Sequence, residues 1–214
     1  MTNFDFLKSN TEFLAFSDAC VEAENSIATS PALCALGVRK STELAVKWLY
    51  TIDKSLQQPF KDNLSALIYN PSFADSIDDD LMNKLKFIIK LGNYAAHTNK
   101  SVTYREAMLA LAGLFDFMQF IDYCYGKEYQ QRVFDESILA PESGASISRD
   151  AFEQMKAELD AKGTEREKLL EELKRLRDEM EKLRATNTAS RTYTASTHTE
   201  AATRKSYIDV DIKA

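Results

Sequence analysis

The stretch from Thr103 to Tyr125 limits the possible folds more than any other part of the chain. Leu109, Leu111, Phe115, Phe117, Met118 and Ile121 leave a helix over this stretch with almost no polar face. A helix that is apolar nearly all round has to be enclosed by other elements or by an oligomer partner. Thr103 followed by Glu106 has the spacing of a capping box, in which each residue satisfies a backbone N–H of the other. The helix is therefore predicted to open just after Thr103. No apolar run reaches the roughly 18 residues that read as a membrane span. The expectation is a core helix, with no membrane among the partners.

Three other segments carry a helical period that encloses such a core. From Thr11 to about Thr29, apolar residues fall at 13, 14, 16, 20, 21 and 27. Ser30-Pro31 reads as the cap and first residue of a second helix, because proline loses no hydrogen bond at that position. That helix is expected to reach about Ser55, with Leu33, Leu36, Leu44, Trp48 and Ile52 on one stripe and Gly37 allowing a close helix contact. A short helix over Asn63–Tyr69 is expected to stop at Asn70-Pro71. Asp79 or Asp80 opens a further helix to about Thr98, with Leu81, Leu85, Ile88, Gly92 and Ala95 inward. Six glycines and four prolines in 214 residues disfavour turn-rich β folds. The fold class is all-α, with a four-helix bundle over residues 1–126.

Residues 127–148, with Pro141 and Gly144, read as a linker. Residues 149–185 carry 10 Lys and Arg against 11 Asp and Glu. With Phe152 in position a, the a series is Phe152, Leu159, Arg166, Leu173 and Met180. The d series is Met155, Lys162, Leu169, Leu176 and Leu183. Eight of these ten seam positions are apolar, which predicts a coiled-coil helix and a homo-oligomer through it. Its alternative is a charged helix packed on its own bundle. The seam is expected to break around Lys162–Arg166, where Gly163 weakens a helix. Residues 186–214 begin as a Thr/Ser/Ala-rich tail with too little apolar bulk to offset ordering, and disorder is expected there.

The net charge is −6, and residues 1–148 account for it with 13 basic and 19 acidic side chains. A globally basic nucleic-acid coat is excluded, whereas a local basic face is not. Cys20, Cys34 and Cys124 are an odd, scattered set without CxxC spacing, so neither a disulfide framework nor a zinc site is expected. The N-terminus lacks a basic segment leading into an apolar one and is not expected to be a signal peptide. A cytoplasmic setting follows. No pattern calls for a cofactor or a metal, and Asp78–Asp80 read as a helix cap rather than a metal cluster.

One candidate site stands out. Asn83, Lys86, Lys90, Asn93 and His97 follow one another at spacings of 3, 4, 3 and 4, which puts them on one helix face. Lys100 extends it. This stripe is locally basic on an acidic domain and suits phosphate contacts, with His97 available as an acid or base. The bland alternative is a solvated helix face. A second stripe, Arg39, Glu43 and Lys47, predicts local ion pairs, or else an arginine aimed into a groove. His198, in the tail, is expected to be solvated.

The segments GVRKSTELAVKWLY (37–50), LSALIYNPSF (64–73), KLKFIIKLGNYAAHTN (84–99) and REAMLALAGLFDFMQFIDYCYG (105–126) resemble a bacterial helical family. It carries a domain-of-unknown-function label and often stands at the N-terminus of type I restriction enzyme motor (R) subunits and related DEAD/DEAH helicases. It is similar to the HEPN superfamily, which includes RNases and RNA-binding modules of anti-phage defence. The resemblance covers about residues 3–126. The tail, TEAATRKSYIDVDIKA, resembles the stretch that opens the nuclease region of such motor subunits. This implies a fragment or truncated relative carrying only the first residues of a nuclease.

HEPN ribonucleases carry an arginine, four to six residues, then a histidine. His97 matches the histidine, but Gly92, Leu91 and Lys90 stand where the arginine would be. The resemblance therefore implies a non-catalytic module that docks a restriction or helicase machine onto nucleic acid, RNA or DNA, or onto a sister subunit. Two rivals remain: an endoribonuclease using His97 with Arg39 or Lys90 as the cation, and a purely structural dimerisation domain. The nucleic-acid-binding set on the first reading is Arg39, Lys86, Lys90, Asn93 and His97.

Overall fold

The structure is a computed structural model that describes residues 2–97, 101–139 and 149–190. Among the described residues it is all-helical, with seven α-helices and no strand. They are α1 (Leu14–Asn25), α2 (Pro31–Ile52), α3 (Leu64–Ile68), α4 (Pro71–Ala74), α5 (Asp79–His97), α6 (Tyr104–Tyr125) and α7 (Arg149–Ser190), with short 3-10 turns ahead of α1 and between α6 and α7. Contacts divide the chain into two compact units, Met1–Lys174 and Arg175–Ala214.

The helix starts follow from local chemistry. The Ser30 hydroxyl accepts from Leu33 N at 3.3 Å, with Pro31 in the first turn of α2. Asp78 Oδ1 accepts from Leu81 N at 2.7 Å and starts α5. The Thr103–Glu106 box is closed in both directions. Asn70 caps the first turn of α4, so the Asn-Pro pair that ends α3 also opens another helix.

Within the first unit α2 is the hub, packing against α1, α5 and α6, and α5 also packs on α6. Gly37 lets α2 approach α1, because a Cβ there would lie 2.9 Å from Ala23 Cβ. Phe13, Phe16 and Tyr125 surround Trp48 with ring centroids 5.4–5.9 Å away. Each large apolar side chain buried in this way contributes about 1.5–3 kcal/mol. Helix α6 is long and apolar enough to cross a membrane by length and composition, which differs from the sequence expectation. Most of it is buried inside the protein, as in a core helix.

Three boundaries differ from expectation. The stretch expected to be a linker is described as far as Leu139, and there it lies back on the helices. Phe134 meets Phe115 at 5.6 Å, and Asn3 exchanges hydrogen bonds with the backbone of Asp135. Helix α7 runs unbroken through Gly163, since one glycine costs only about 1 kcal/mol in a long helix. It also continues to Ser190, five residues into the stretch assigned to the tail. Lys100, residues 140–148, His198 and the rest of 191–214 lie outside the described residues, as do the side chains of Phe152 and Met155.

Candidate nucleic-acid interface

Helix α5 brings the predicted stripe together as one face. Its inward side (Leu81, Leu85, Ile88, Gly92, Ala95) is buried, and Asn83, Lys86, Lys90, Asn93 and His97 are all exposed on the other. The amphipathic period of the sequence is what fixes this orientation.

The cations on α5 are in different states. Lys84 is held by Asp80 at 2.5 Å and by Asp116 of α6 at 2.9 Å, and these carboxylates raise its pKa. Lys86 lies 5.8 Å from the centroid of the Tyr69 ring, a cation–π contact with an exposed aromatic. Neither Lys86 nor Lys90 forms an ion pair with a described residue. The face can therefore offer two ammonium groups, an amide, an imidazole and an aromatic ring to an anionic partner.

The second stripe splits. Lys47 forms ion pairs with Glu43 (3.3 Å), Asp62 (3.7 Å) and Glu167 of α7 (3.6 Å). Burial opposes its charge, but these carboxylates outweigh that and raise its pKa. Arg39 joins no such network. Its aliphatic chain lies across Gly92 of α5, where any Cβ on residue 92 would come within 2.4 Å of Arg39 Cδ and 2.6 Å of Arg39 Cβ. Its Nε is buried without a hydrogen-bond partner among the described residues. Of the two readings of this stripe, ion pairing describes Lys47 and Glu43, while Arg39 is turned toward α5.

Sequence reasoning missed Tyr69, which no spacing links to Lys86, and the use of Gly92 as a seat for Arg39. An inward glycine in mid-helix was the available signal, since it marks a close approach. Cys20 and Cys34 are buried free thiols whose pKa values burial pushes up, which suits packing rather than nucleophilic chemistry. Among the described residues no three His, Cys, Asp or Glu side chains gather to hold a metal ion.

Residues 21–138, more than half of the chain, match the model of a family described as a domain of unknown function (DUF4145). The match begins in α1, ends with the segment that lies back on the helices, and excludes α7. Neither the curated proteins nor the solved structures give a match.

Proposed function

The chain belongs to the DUF4145 family, and we propose that it is a non-catalytic docking module that grips nucleic acid through the exposed face of α5. The observation that carries this reading is the pairing of Lys86 and Lys90 on one solvent-facing stripe, with Asn93 and His97 beside them, on a domain whose net charge is otherwise acidic. Phosphate contacts need cations that are not already neutralised, and these two lysines meet that requirement where Lys84 and Lys47 do not. Tyr69 adds a ring on which an unstacked base can lie.

The same proposal places the bundle of α1, α2, α5 and α6 among HEPN-like four-helix domains. Its wider setting is a bacterial restriction or helicase machine of the type I motor-subunit kind, acting in the cytoplasm, with sister subunits of that machine as protein partners. The sequence resemblance supports this setting. The test of the interface is lysine footprinting. Acetylation of the full chain with and without single-stranded RNA or duplex DNA should show protection at Lys86 and Lys90. Protection confined to α7, or none, would overturn the assignment.

One observation favours a second reading, an endoribonuclease using His97. Arg39 reaches α5 at Gly92, one of the positions where the arginine of the HEPN motif would stand, and so brings a guanidinium chain to that place from α2. This reading predicts RNA cleavage that is lost in both His97→Ala and Arg39→Ala. An inactive wild-type chain removes it.

A further inference from the structure

Helix α7 uses two different faces. Its first face is satisfied within the chain. Lys162 and Arg166 both bind Glu22 of α1, at 3.3 and 3.2 Å. Glu167 is paired with Lys40 and Lys47 of α2, and Leu170 is buried with Leu159 packed against the core. Lys162 and Arg166 are the two charged residues in the heptad seam, so the apparent break in that seam is where the helix is tied to its own bundle.

Beyond that point no described residue covers the seam. Leu169, Leu173, Leu176, Met180 and Leu183 step by 4, 3, 4 and 3 residues and are each 45–63% exposed. Five large apolar side chains in one regular row are more than scattered surface leucines, and the row has the period of a two-helix seam. The flanking charges say what fits it. The positions on one side of the row (g) are Glu172 and Glu179. The corresponding positions on the other side (e) are Arg177 and Arg184.

We propose that this distal part of α7 pairs with α7 of a second copy of the chain, parallel and in register. In that arrangement each g residue faces the e residue of the following heptad across the seam. Glu172 then meets Arg177 of the partner subunit, and Glu179 meets Arg184 of the partner subunit, each twice by symmetry. An antiparallel pair would set glutamate against glutamate and arginine against arginine, which is repulsive. Charge therefore selects both the partner and its direction. Helix α7 lies outside the family match, so this pairing is independent of the nucleic-acid reading of α5.

The test uses the full chain. Sedimentation velocity should give a dimer whose population rises with concentration. Glu172→Arg with Glu179→Arg should weaken it about tenfold or more. Mixing that variant with Arg177→Glu plus Arg184→Glu should restore a dimer that neither forms alone. For direction, Leu183→Cys in a Cys124→Ser background should cross-link to itself under mild oxidation, because parallel register sets the two 183 positions side by side. Circular dichroism checks that each variant keeps its helix content. A monomeric wild type, or a dimer indifferent to the charge swaps, would overturn the proposal. So would a dimer that fails to cross-link at 183, since antiparallel pairing places the two 183 positions at opposite ends of the seam.

Discussion

Arg39 of α2 lies across Gly92 of α5, and the absence of a Cβ at Gly92 is what admits it. The contact explains why an otherwise regular helix carries a glycine near its middle. It predicts a change of sign between two backgrounds. Gly92→Ala in the wild type gains helix propensity but drives the new methyl into Cβ and Cδ of Arg39. Overpacking should exceed that gain and leave the variant about 1 kcal/mol less stable. In an Arg39→Gly background the Cβ, Cγ and Cδ atoms that crowd position 92 are gone, and the same substitution should stabilise by about 1 kcal/mol. Urea denaturation of the four proteins measures both values.

Asn3 ties three parts of the first unit together. Its backbone N–H donates to the Glu24 carboxylate at 3.0 and 3.1 Å. Its side chain accepts from Asp135 N at 2.8 Å and donates to Asp135 O at 3.2 Å. Asn3→Ala keeps the first set and removes the second. The expected loss is about 1 kcal/mol, the net worth of hydrogen bonds whose backbone partners on exposed Asp135 can turn to water. Amide exchange should accelerate over residues 130–139 first, because that stretch loses its anchor. Unchanged exchange there would show that the other contacts of the stretch, Phe134 on Phe115 and Arg132 with Asp122 and Gln119, hold it without Asn3.

Acid should release α7 from the bundle. Burial opposes ionisation of Glu22, but Arg166 and Lys162 outweigh it and hold its carboxyl below the ordinary value. Glu167 is likewise partly buried and is lowered by Lys40 and Lys47. A carboxyl whose pKa is lowered by folding adds stability above its unfolded pKa, and loses it as pH falls through the folded one. The contribution is therefore present at neutral pH and disappears below about pH 4. Glu24 has the opposite sign. Burial raises its pKa despite the Asn3 N–H groups, so its contribution falls as pH rises. Urea midpoints measured from about pH 3 to pH 7 should separate wild type from Glu22→Gln/Glu167→Gln only at the upper end. A constant difference across the range would contradict the assignment.

Much of this architecture was legible in the sequence, because local signals and hydrophobic period agree. Ser30-Pro31, Asp78 and the Thr103–Glu106 box mark helix starts that the structure keeps. The polar face of α5 was legible for the same reason, since a period of 3.6 needs no tertiary information. What could not be read were contacts between residues distant in sequence. Nothing local says that Arg39 crosses to Gly92, that Tyr69 lies under Lys86, or that Asp135 returns to Asn3. The same limit governs α7. The heptad gives its seam, but only the pairing of Lys162 and Arg166 with Glu22 shows where that seam is tied to its own bundle.

Whether the α5 face carries the interaction with nucleic acid is decided by fluorescence anisotropy across a salt series. Labelled single-stranded RNA and duplex DNA are titrated with the full chain and with Lys86→Ala/Lys90→Ala. Wild-type affinity should fall with salt, with a log–log slope of about −2 on duplex DNA if both lysines neutralise phosphates. The double variant should bind much more weakly and lose most of that slope, and the preferred strand type names the ligand. Flat wild-type curves at low salt, or a slope unchanged by the double substitution, would contradict the docking role and leave the stripe a solvated helix face.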